Sequence, residues 1–222
     1  QGCALYLLGR NGEKLQTLAN DLLIRGAAQA LTNSFEATNL DPHSEVLERV
    51  LVEFGDFDAA LLAHGSLPEQ SECQNDFELT HTAYTTNMLS PIAFLTWLAN
   101  YVEAQKAGNL AVITSVAGDR GRQSNYIYGS AKGALSIFLQ GLRNRLLVHG
   151  VTVTDIRPGF ISTAMTKHLV QGPLFVRPDS IAEGIVKAMQ RGASTVYLLK
   201  FWRLILLIIK LLPEFIFNRL KL

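Results

Sequence analysis

Cysteine is scarce in this chain, since Cys3 and Cys73 are the only two among 222 residues. Two cysteines without metal-ligand spacing do not make a disulfide framework, and they indicate a reducing compartment. The five histidines are dispersed and none stands in an H-x-x-x-H pair, so we expect no metal site. The formal net charge is only +1, which gives no global field that would attract nucleic acid.

Long apolar runs are also missing, although the C-terminal segment 200–222 is strongly apolar. Its uninterrupted run, 204–209, is far shorter than the about 20 residues that span a bilayer. Arg203 and Lys210 are seven residues apart and would form one polar stripe on a helix that Pro213 divides. Aromatic residues suited to a membrane–water boundary accompany it: Trp202, Phe215 and Phe217. We expect a helix lying on a membrane surface; an oligomer interface or a helix packed on the core are the alternatives.

The rest of the chain alternates apolar runs with segments of helical period, which is typical of a parallel sheet covered on both faces. Strands are expected at 3–8, 28–36, 58–63, 110–114, 151–156 and 194–199. Helices are expected at 11–25, from Asp41 and Pro42 to Gly55, at 76–106 with a bend at Pro91, at 124–149 and at 177–190. The sequence therefore predicts an α/β domain over 1–199 followed by an apolar helical tail over 200–222.

Three side chains suggest proton chemistry at a carbonyl oxygen. Tyr128 and Lys132 are four residues apart, so they share one face of a helix, and Ser115 ends a predicted strand upstream. A nearby ammonium favours the phenolate, so we expect Lys132 to lower the pKa of Tyr128. Ser115 would hydrogen-bond the substrate oxygen. The alternative is a Tyr and a Lys exposed on a helix.

Several of these residues follow predicted strands directly. Gly65, Ser115 and the pair Pro158 and Gly159 each come just after a strand. Parallel strands place ligands outside their carboxyl ends, so we expect these residues at one edge of the sheet.

The chain resembles the short-chain dehydrogenase/reductase family over nearly all of its length. The segments that carry the resemblance stand in the family's order: 61–65 (LLAHG), Asn87, Ser115, Tyr128 with Lys132, and 157–163 (RPGFIST). The resemblance implies a Rossmann-like, doubly wound parallel sheet and an oxidoreductase with Ser115, Tyr128, Lys132 and Asn87 as catalytic residues. Asn87 would distort its helix and hold, through its backbone carbonyl, a water that links to Lys132. A helical Asn that bends its helix locally or faces solvent is the alternative.

The resemblance also implies a nicotinamide cofactor. An acidic residue near the end of the second family strand favours NAD, whereas an Arg there accommodates a 2′-phosphate. Gly9 takes the acidic position and Arg10 follows it, so NADP(H) is expected over NAD(H). The alternative is a solvated Arg. The cofactor contacts implied by the resemblance are Arg10, Asn39, Leu40, Ala63, Gly65, Tyr128, Lys132, Pro158, Gly159 and Thr163.

The glycine-rich turn that opens this family is not found here. Gly2, Gly9 and Gly12 do not form its pattern, and the strand at 3–8 matches the family's second strand. We therefore expect a fragment or an incomplete gene product that lacks the first strand, the turn and most of the first helix.

The resemblance extends to a bacterial branch that includes the reductase half of decaprenylphosphoryl-ribose epimerisation. It implies reduction of a lipid-linked 2-keto sugar beside a flavin oxidase, in a homo-oligomer on the cytoplasmic face of the inner membrane. The polar loop 119–126 would bind a sugar or a phosphate, or be a turn whose Arg residues pair with acids. The alternatives are a reductase of fatty-acyl or steroid-like ketones and a non-catalytic scaffold.

Overall fold

The structure is a computed structural model that describes residues 2–41 and 43–220. The chain divides into two compact units, Gln1–Phe57 and Asp58–Leu222. Both are built from parallel strands and helices, so the predicted α/β class is confirmed. The predicted division into 1–199 and 200–222 stays a prediction.

The first unit is a two-stranded parallel sheet with two helices. Its elements are β1 (Ala4–Gly9), α1 (Gly12–Ile24), β2 (Gln29–Ser34) and α2 (His43–Phe54). Asn11 begins α1 as predicted, because its Oδ1 accepts a hydrogen bond of 2.9 Å from the Lys14 N–H. The first-turn proline expected in α2, Pro42, lies outside the described residues.

The second unit is a four-stranded parallel sheet in the order β3-β4-β5-β6. The strands are β3 (Ala59–Leu62), β4 (Asn109–Ile113), β5 (Thr152–Pro158) and β6 (Thr195–Leu198). The helices are α3 (Gln70–Cys73), α4 (Phe77–Tyr84), α5 (Ser90–Gln105), α6 (Tyr126–Leu147), α7 (Pro178–Gln190), α8 (Phe201–Leu211) and α9 (Glu214–Phe217). Because the strands are parallel, their carboxyl ends lie at one edge.

Alternation along β5 divides the packing between the two faces of this sheet. Ile156 packs with Ala111 of β4 and with Ile181 and Ile185 of α7. The preceding residue, Asp155, faces the other side, where α6 packs against β5. The helix that carries the Tyr–Lys pair therefore covers the face to which Asp155 points.

The predicted helix at 76–106 is divided by a π-helical turn, Thr85–Leu89, between α4 and α5. Asn87 lies in this turn, so the expected distortion of its helix is confirmed. Pro91 is in the first turn of α5 and has no N–H for the ordinary helical bond to the Asn87 carbonyl. The irregularity thus lies where the proline removes a backbone donor.

The C-terminal segment forms α8 and α9, separated at Pro213 as predicted. The expectation that Trp202 lies at a membrane boundary is wrong, because Trp202 is 4% exposed and Leu206 is 1% exposed. Both pack with Val116, which follows the predicted catalytic serine. This face of α8 therefore packs on the core, which was the alternative to a helix lying on a membrane surface.

The opposite face of α8 is exposed. Its large apolar side chains are Leu204 (62%), Leu207 (53%), Ile208 (55%) and Leu211 (73%). No helix described between residues 2 and 220 combines the length and the hydropathy needed to cross a membrane. Among the cations of the C-terminal segment, Lys221 lies outside the described residues.

Candidate active site

Ser115 follows β4 and begins a 3₁₀ turn, Val116–Asp119. Its Oγ accepts a hydrogen bond of 3.1 Å from the Ala117 N–H, which fixes the side chain at the start of the turn. Ser115 also lies close enough to the Tyr128 hydroxyl to lower the pKa of that phenol. The structure thus brings the predicted hydroxyl and phenol together at the carboxyl edge of the sheet.

Three glycines allow the serine turn to approach α6 this closely. A Cβ at Gly118 would lie 2.7 Å from the Gly133 backbone nitrogen, and one at Gly129 would lie 2.8 Å from the Ala117 carbonyl oxygen. A Cβ at Gly133 would in turn lie 2.9 Å from the Gly118 carbonyl oxygen. Any side chain at these positions would move Ser115 away from the helix that carries Tyr128. The sequence analysis did not identify these glycines as positioning residues.

Lys132 is buried one helical turn after Tyr128. Its Nζ donates a hydrogen bond of 3.2 Å to the Ile113 carbonyl oxygen and lies 5.9 Å from the centroid of the Tyr128 ring. Burial lowers the pKa of Lys132 to about 8, and the nearby charge of Asp155 partly opposes this effect. A lysine side chain with this pKa can change between ammonium and neutral amine near neutral pH.

The pKa of Tyr128 moves in the direction opposite to the expected one. Burial raises the pKa of the phenol, and the hydrogen bond with Ser115 opposes the rise. The physical reason is that transfer out of water disfavours the phenolate more than the surrounding groups stabilise it. Tyr128 is therefore held as a neutral phenol, the form that donates a proton.

Asn87 is fully buried and connects the π-helical turn to the loop after β3. Its Oδ1 accepts from the Ser66 N–H at 3.0 Å, and its Nδ2 donates to the Ala83 carbonyl oxygen at 2.9 Å. A Cβ at Gly65 would lie 2.9 Å from Asn87 Oδ1 and 3.4 Å from Lys132 Nζ. Two of the predicted catalytic residues, Asn87 and Lys132, therefore lie beside Gly65, where a side chain would meet both.

The other residues predicted in this unit follow β3 and β5. Ala63 is exposed directly after β3, and Pro158 is the last residue of β5. A Cβ at Gly159 would lie 1.9 Å from Trp202 Nε1, so α8 crosses directly over this glycine. Thr163 begins a short 3₁₀ turn, where its N–H donates to Thr166 Oγ1 at 3.1 Å. Thr163 lies on the segment that leads away from β5.

An apolar pocket of about 390 Å³ is lined by residues that follow Gly159 in the sequence. It is lined by Phe160, Leu169, Val170, Gly172, Pro173, Leu174 and Phe175. The rings of Phe160 and Phe175 stack at 5.1 Å, and Phe160 meets Trp202 edge-on at 5.6 Å. The pocket is therefore connected through packed aromatic rings to α8.

Three predicted cofactor contacts lie in the first unit. Arg10 is exposed directly after β1 and precedes the residue that caps α1. Asn39 and Leu40 lie in the loop after β2, where the Asn39 N–H donates to the Glu36 carbonyl oxygen at 3.2 Å. These three residues follow strand ends of their own sheet.

Residues of the polar loop 119–126 contact several different elements. Asp119 forms an ion pair of 2.6 Å with Arg157. Arg120 donates hydrogen bonds to the carbonyl oxygens of Ile209 and Leu212 at the end of α8, and its guanidinium lies 3.8 Å from the centroid of the Phe217 ring. These contacts of Asp119 and Arg120 attach the polar loop both to β5 and to the C-terminal helices.

The buried charges around β5 were not predicted as functional residues. Asp155 is fully buried, and Arg157 joins it to Asp119, whose other oxygen accepts from Tyr197. The sequence did contain a signal, because Asp155 interrupts an otherwise apolar and β-branched strand. A charged residue inside a buried strand requires a partner.

The family model described as short chain dehydrogenase matches residues 1–173 of this chain. An uncharacterised oxidoreductase of Mycobacterium tuberculosis is 32% identical over 219 residues, covering 99% of this chain and 88% of that protein. An uncharacterised oxidoreductase of Streptomyces coelicolor is 30% identical over 216 residues, covering 97% and 85%.

Solved structures with the same fold are more distant in sequence. A gluconate 5-dehydrogenase of Burkholderia cenocepacia, in complex with NADP and tartrate, has a TM-score of 0.78 and 17% identity over 87% of this chain and 83% of that chain. An alcohol dehydrogenase of Thermococcus sibiricus, complexed with 5-hydroxy-NADP, has a TM-score of 0.75 and 21% identity over 88% and 85%. With the Rossmann-like fold shared and the family model matching most of the chain, this protein belongs to the short-chain dehydrogenase/reductase family and is an oxidoreductase.

Proposed function

We propose that this protein is an NADP(H)-dependent reductase that converts a ketone into an alcohol. The observation that carries the proposal is the convergence of Ser115, a neutral phenol at Tyr128 and a buried ammonium at Lys132. These groups can bind a carbonyl oxygen and protonate it. Burying a charged ammonium costs free energy, and the scaffold alternative gives no functional reason for burying Lys132.

The residues around Lys132 fit a nicotinamide cofactor. An ammonium has three N–H donors, and within the described residues Lys132 Nζ uses one of them, toward Ile113. The other donors suit the ribose hydroxyls, while Ala63, Gly65, Pro158, Gly159 and Thr163 would form the surrounding wall. When bound, the reduced nicotinamide supplies the hydride.

The proposed step adds a hydride to the carbonyl carbon and a proton to its oxygen, so that the C=O double bond becomes a C–OH single bond. Ser115 donates a hydrogen bond to the oxygen and orients it. The Tyr128 O–H breaks to deliver the proton, and the resulting phenolate is stabilised by the Lys132 ammonium. The raised pKa of Tyr128 favours this direction, because a weakly acidic phenol remains protonated until the oxygen develops negative charge.

Asn87 would support return of the proton from solvent. We propose that its backbone carbonyl holds a water that links to Lys132, as the family resemblance implies. Support comes from the π-helical turn and from Pro91, which provides no N–H to that carbonyl.

NADP(H) is proposed over NAD(H) because of Arg10. Its guanidinium can bind a 2′-phosphate through two hydrogen bonds, and Gly9 leaves no carboxylate at the position that would repel the phosphate. NADP is also the cofactor form named for the Burkholderia and Thermococcus proteins. Asn39 and Leu40 would contact the adenine.

A lipid-linked 2-keto sugar is the proposed substrate. The apolar pocket after Gly159 suits the lipid part, and the exposed face of α8 suits the headgroup boundary of the inner membrane on its cytoplasmic side. A flavin oxidase would supply the keto sugar to a homo-oligomer of this chain. The pocket would equally accept a fatty-acyl or steroid-like ketone.

The replacement Tyr128→Phe tests the reductase function. We expect loss of carbonyl reduction by about 10²–10⁴-fold, because the proton donor is removed while the ring remains. NADPH affinity should change little, since the contacts to the cofactor ribose would come chiefly from Lys132. The assay follows NADPH oxidation with a polyprenyl-phosphate-linked 2-keto sugar and, in parallel, with a long-chain aliphatic ketone.

The matched control is Tyr126→Phe, which removes the hydroxyl of a tyrosine two residues away that is 43% exposed. Its rate should equal that of the unaltered protein. More than about a tenth of the rate remaining in Tyr128→Phe would exclude Tyr128 as the acid. No NADPH oxidation with either ketone in the unaltered protein would favour the scaffold alternative.

A further inference from the structure

A fully buried carboxylate lies behind the proposed catalytic residues. Asp155 has no exposed surface, although an isolated charge would be very unfavourable there. Thr114 Oγ1 donates to its Oδ1 at 2.5 Å, and Arg157 donates to its Oδ2 from Nε at 2.8 Å and from Nη2 at 2.7 Å. Both carboxylate oxygens are therefore hydrogen-bonded, and the charge is held in one orientation.

The same guanidinium binds a second carboxylate. Arg157 Nη1 donates to Asp119 Oδ1 at 2.6 Å, and the Tyr197 hydroxyl donates to Asp119 Oδ2 at 2.7 Å. Two carboxylates thus share one guanidinium, and two further guanidiniums act on them, Arg143 on Asp155 and Arg122 on Asp119. Asp119 ends the 3₁₀ turn that Ser115 begins.

Lys132 is a further cation on which the Asp155 charge acts. Its Nζ is bound to the Ile113 carbonyl, and the next residue, Thr114, holds Asp155. Adjacent residues at the end of β4 therefore anchor the ammonium and the carboxylate. Burial alone would favour the neutral amine, and the Asp155 charge acts against it.

Other ionisable groups lie around Lys132 and Asp155. Tyr128 faces Lys132 from the same helix, and Asp155 faces it from β5. Arg143 of α6 lies farther along the layer, where its Nε donates to the Val153 carbonyl oxygen at 2.9 Å. Arg157 and Asp119 follow through their ion pair, and Tyr197 and Arg122 both interact with Asp119. Asp155 is the carboxylate in this set whose charge acts on Lys132.

We propose that Asp155 is a positioning residue that keeps Lys132 in its ammonium form, and that Arg157 moderates this effect by sharing the same carboxylate. The inference rests on the proposed reductase function, because it assigns Asp155 to the proton chemistry of Tyr128 and Lys132. It also gives a reason for a charged residue inside a buried strand.

The test measures the titration of Lys132 directly by NMR of the full chain labelled with ¹³C at lysine Cε. The Lys132 signal is identified by its loss in Lys132→Arg. We expect a midpoint near 8 in the unaltered protein. Asp155→Asn should lower the midpoint by about one pH unit, because an opposite charge is removed. Arg157→Gln should raise it, because the Asp155 charge is then less compensated.

Two further variants separate charge from structure. Thr114→Val removes the hydrogen bond to Asp155 but no charge, so the midpoint should stay near that of the unaltered protein. Asp119→Asn removes the farther carboxylate and should lower the midpoint by less than Asp155→Asn does. Asp119→Asn and Arg157→Gln provide the two directions of shift if Asp155→Asn does not fold.

Opposite shifts for the carboxylate and guanidinium variants support the proposal. Unchanged midpoints, or shifts in one direction for all variants, overturn it whether or not a ketone is reduced. The pH profile of ketone reduction gives a second readout: its basic limb should move to lower pH in Asp155→Asn rather than only lose amplitude. Absence of ketone reduction with the expected NMR shifts would overturn the proposed function alone.

Discussion

The contact between Gly159 and Trp202 can be tested by a double-mutant cycle. A Cβ on Gly159 would lie 1.9 Å from the indole nitrogen, whereas ordinary contacts begin at 3.4 Å, so the ring must move by about 1.5 Å. Gly159 is not among the residues with positive φ, so the replacement causes no backbone strain. We expect Gly159→Ala to lower the free energy of unfolding by about 1–3 kcal/mol through overpacking.

Trp202→Ala removes a side chain that is 4% exposed, so it should cost about 3–5 kcal/mol. In the double variant the new methyl group meets no indole, so the total cost should equal that of Trp202→Ala alone. The coupling free energy is then about 1–3 kcal/mol in favour of the double variant. Urea unfolding followed by far-UV circular dichroism measures all four proteins.

The matched control is Gly141→Ala on α6, where a Cβ would meet nothing within 4 Å. It should raise the free energy of unfolding by about 0.5–1 kcal/mol, because alanine is the better helix former. If the costs of Gly159→Ala and Trp202→Ala simply add, the indole does not lie over Gly159. The packing of α8 on this edge of the sheet would then be refuted.

The remaining predictions concern the cofactor and the membrane surface. Arg10→Ala should raise the KM for NADPH more than that for NADH, because only NADPH carries the 2′-phosphate, with Lys14→Ala on α1 as the control; equal effects would refute the assignment. Replacing Leu204, Leu207 and Leu211 by Ser should abolish flotation with anionic vesicles, because these side chains are exposed on one face of α8. Val186→Ser on α7, 53% exposed, is the matched control, and flotation that persists in the triple variant would contradict membrane binding through α8.

Much of the fold could be predicted because its signals are local. Asn11 begins α1 by a side-chain cap, and Pro213 separates α8 from α9, both by rules that act within a few residues. The packing of α8 could not be predicted in this way. Its sequence is apolar on most sides, and the inner face is distinguished by contacts with distant residues, those of Trp202 with Gly159 and of Trp202 and Leu206 with Val116.

The candidate site also combines features that local sequence signals predict with features that depend on packing. Ser115, Tyr128 and Lys132 could be found from spacing and resemblance, whereas the direction of the Tyr128 pKa could not. That direction depends on the depth of burial, which belongs to the packed structure. Asp155 was visible as a charge in a β-branched strand, but its partner Thr114 comes from the end of β4, and its other partner, Arg157, also binds Asp119 of another element. Spacing along the chain does not indicate such contacts.

The two faces of α8 decide how the tail can be studied. Removal of everything after Lys200 would take away the outer apolar face, and it would also uncover Val116, the residue next to Ser115. It would further release Arg120, which fastens the same turn to the end of α8. A truncated protein that no longer floats and no longer reduces ketones would therefore not separate membrane binding from catalysis. Replacements confined to Leu204, Leu207 and Leu211 do separate them, because Trp202 and Leu206 then continue to hold the serine turn in place.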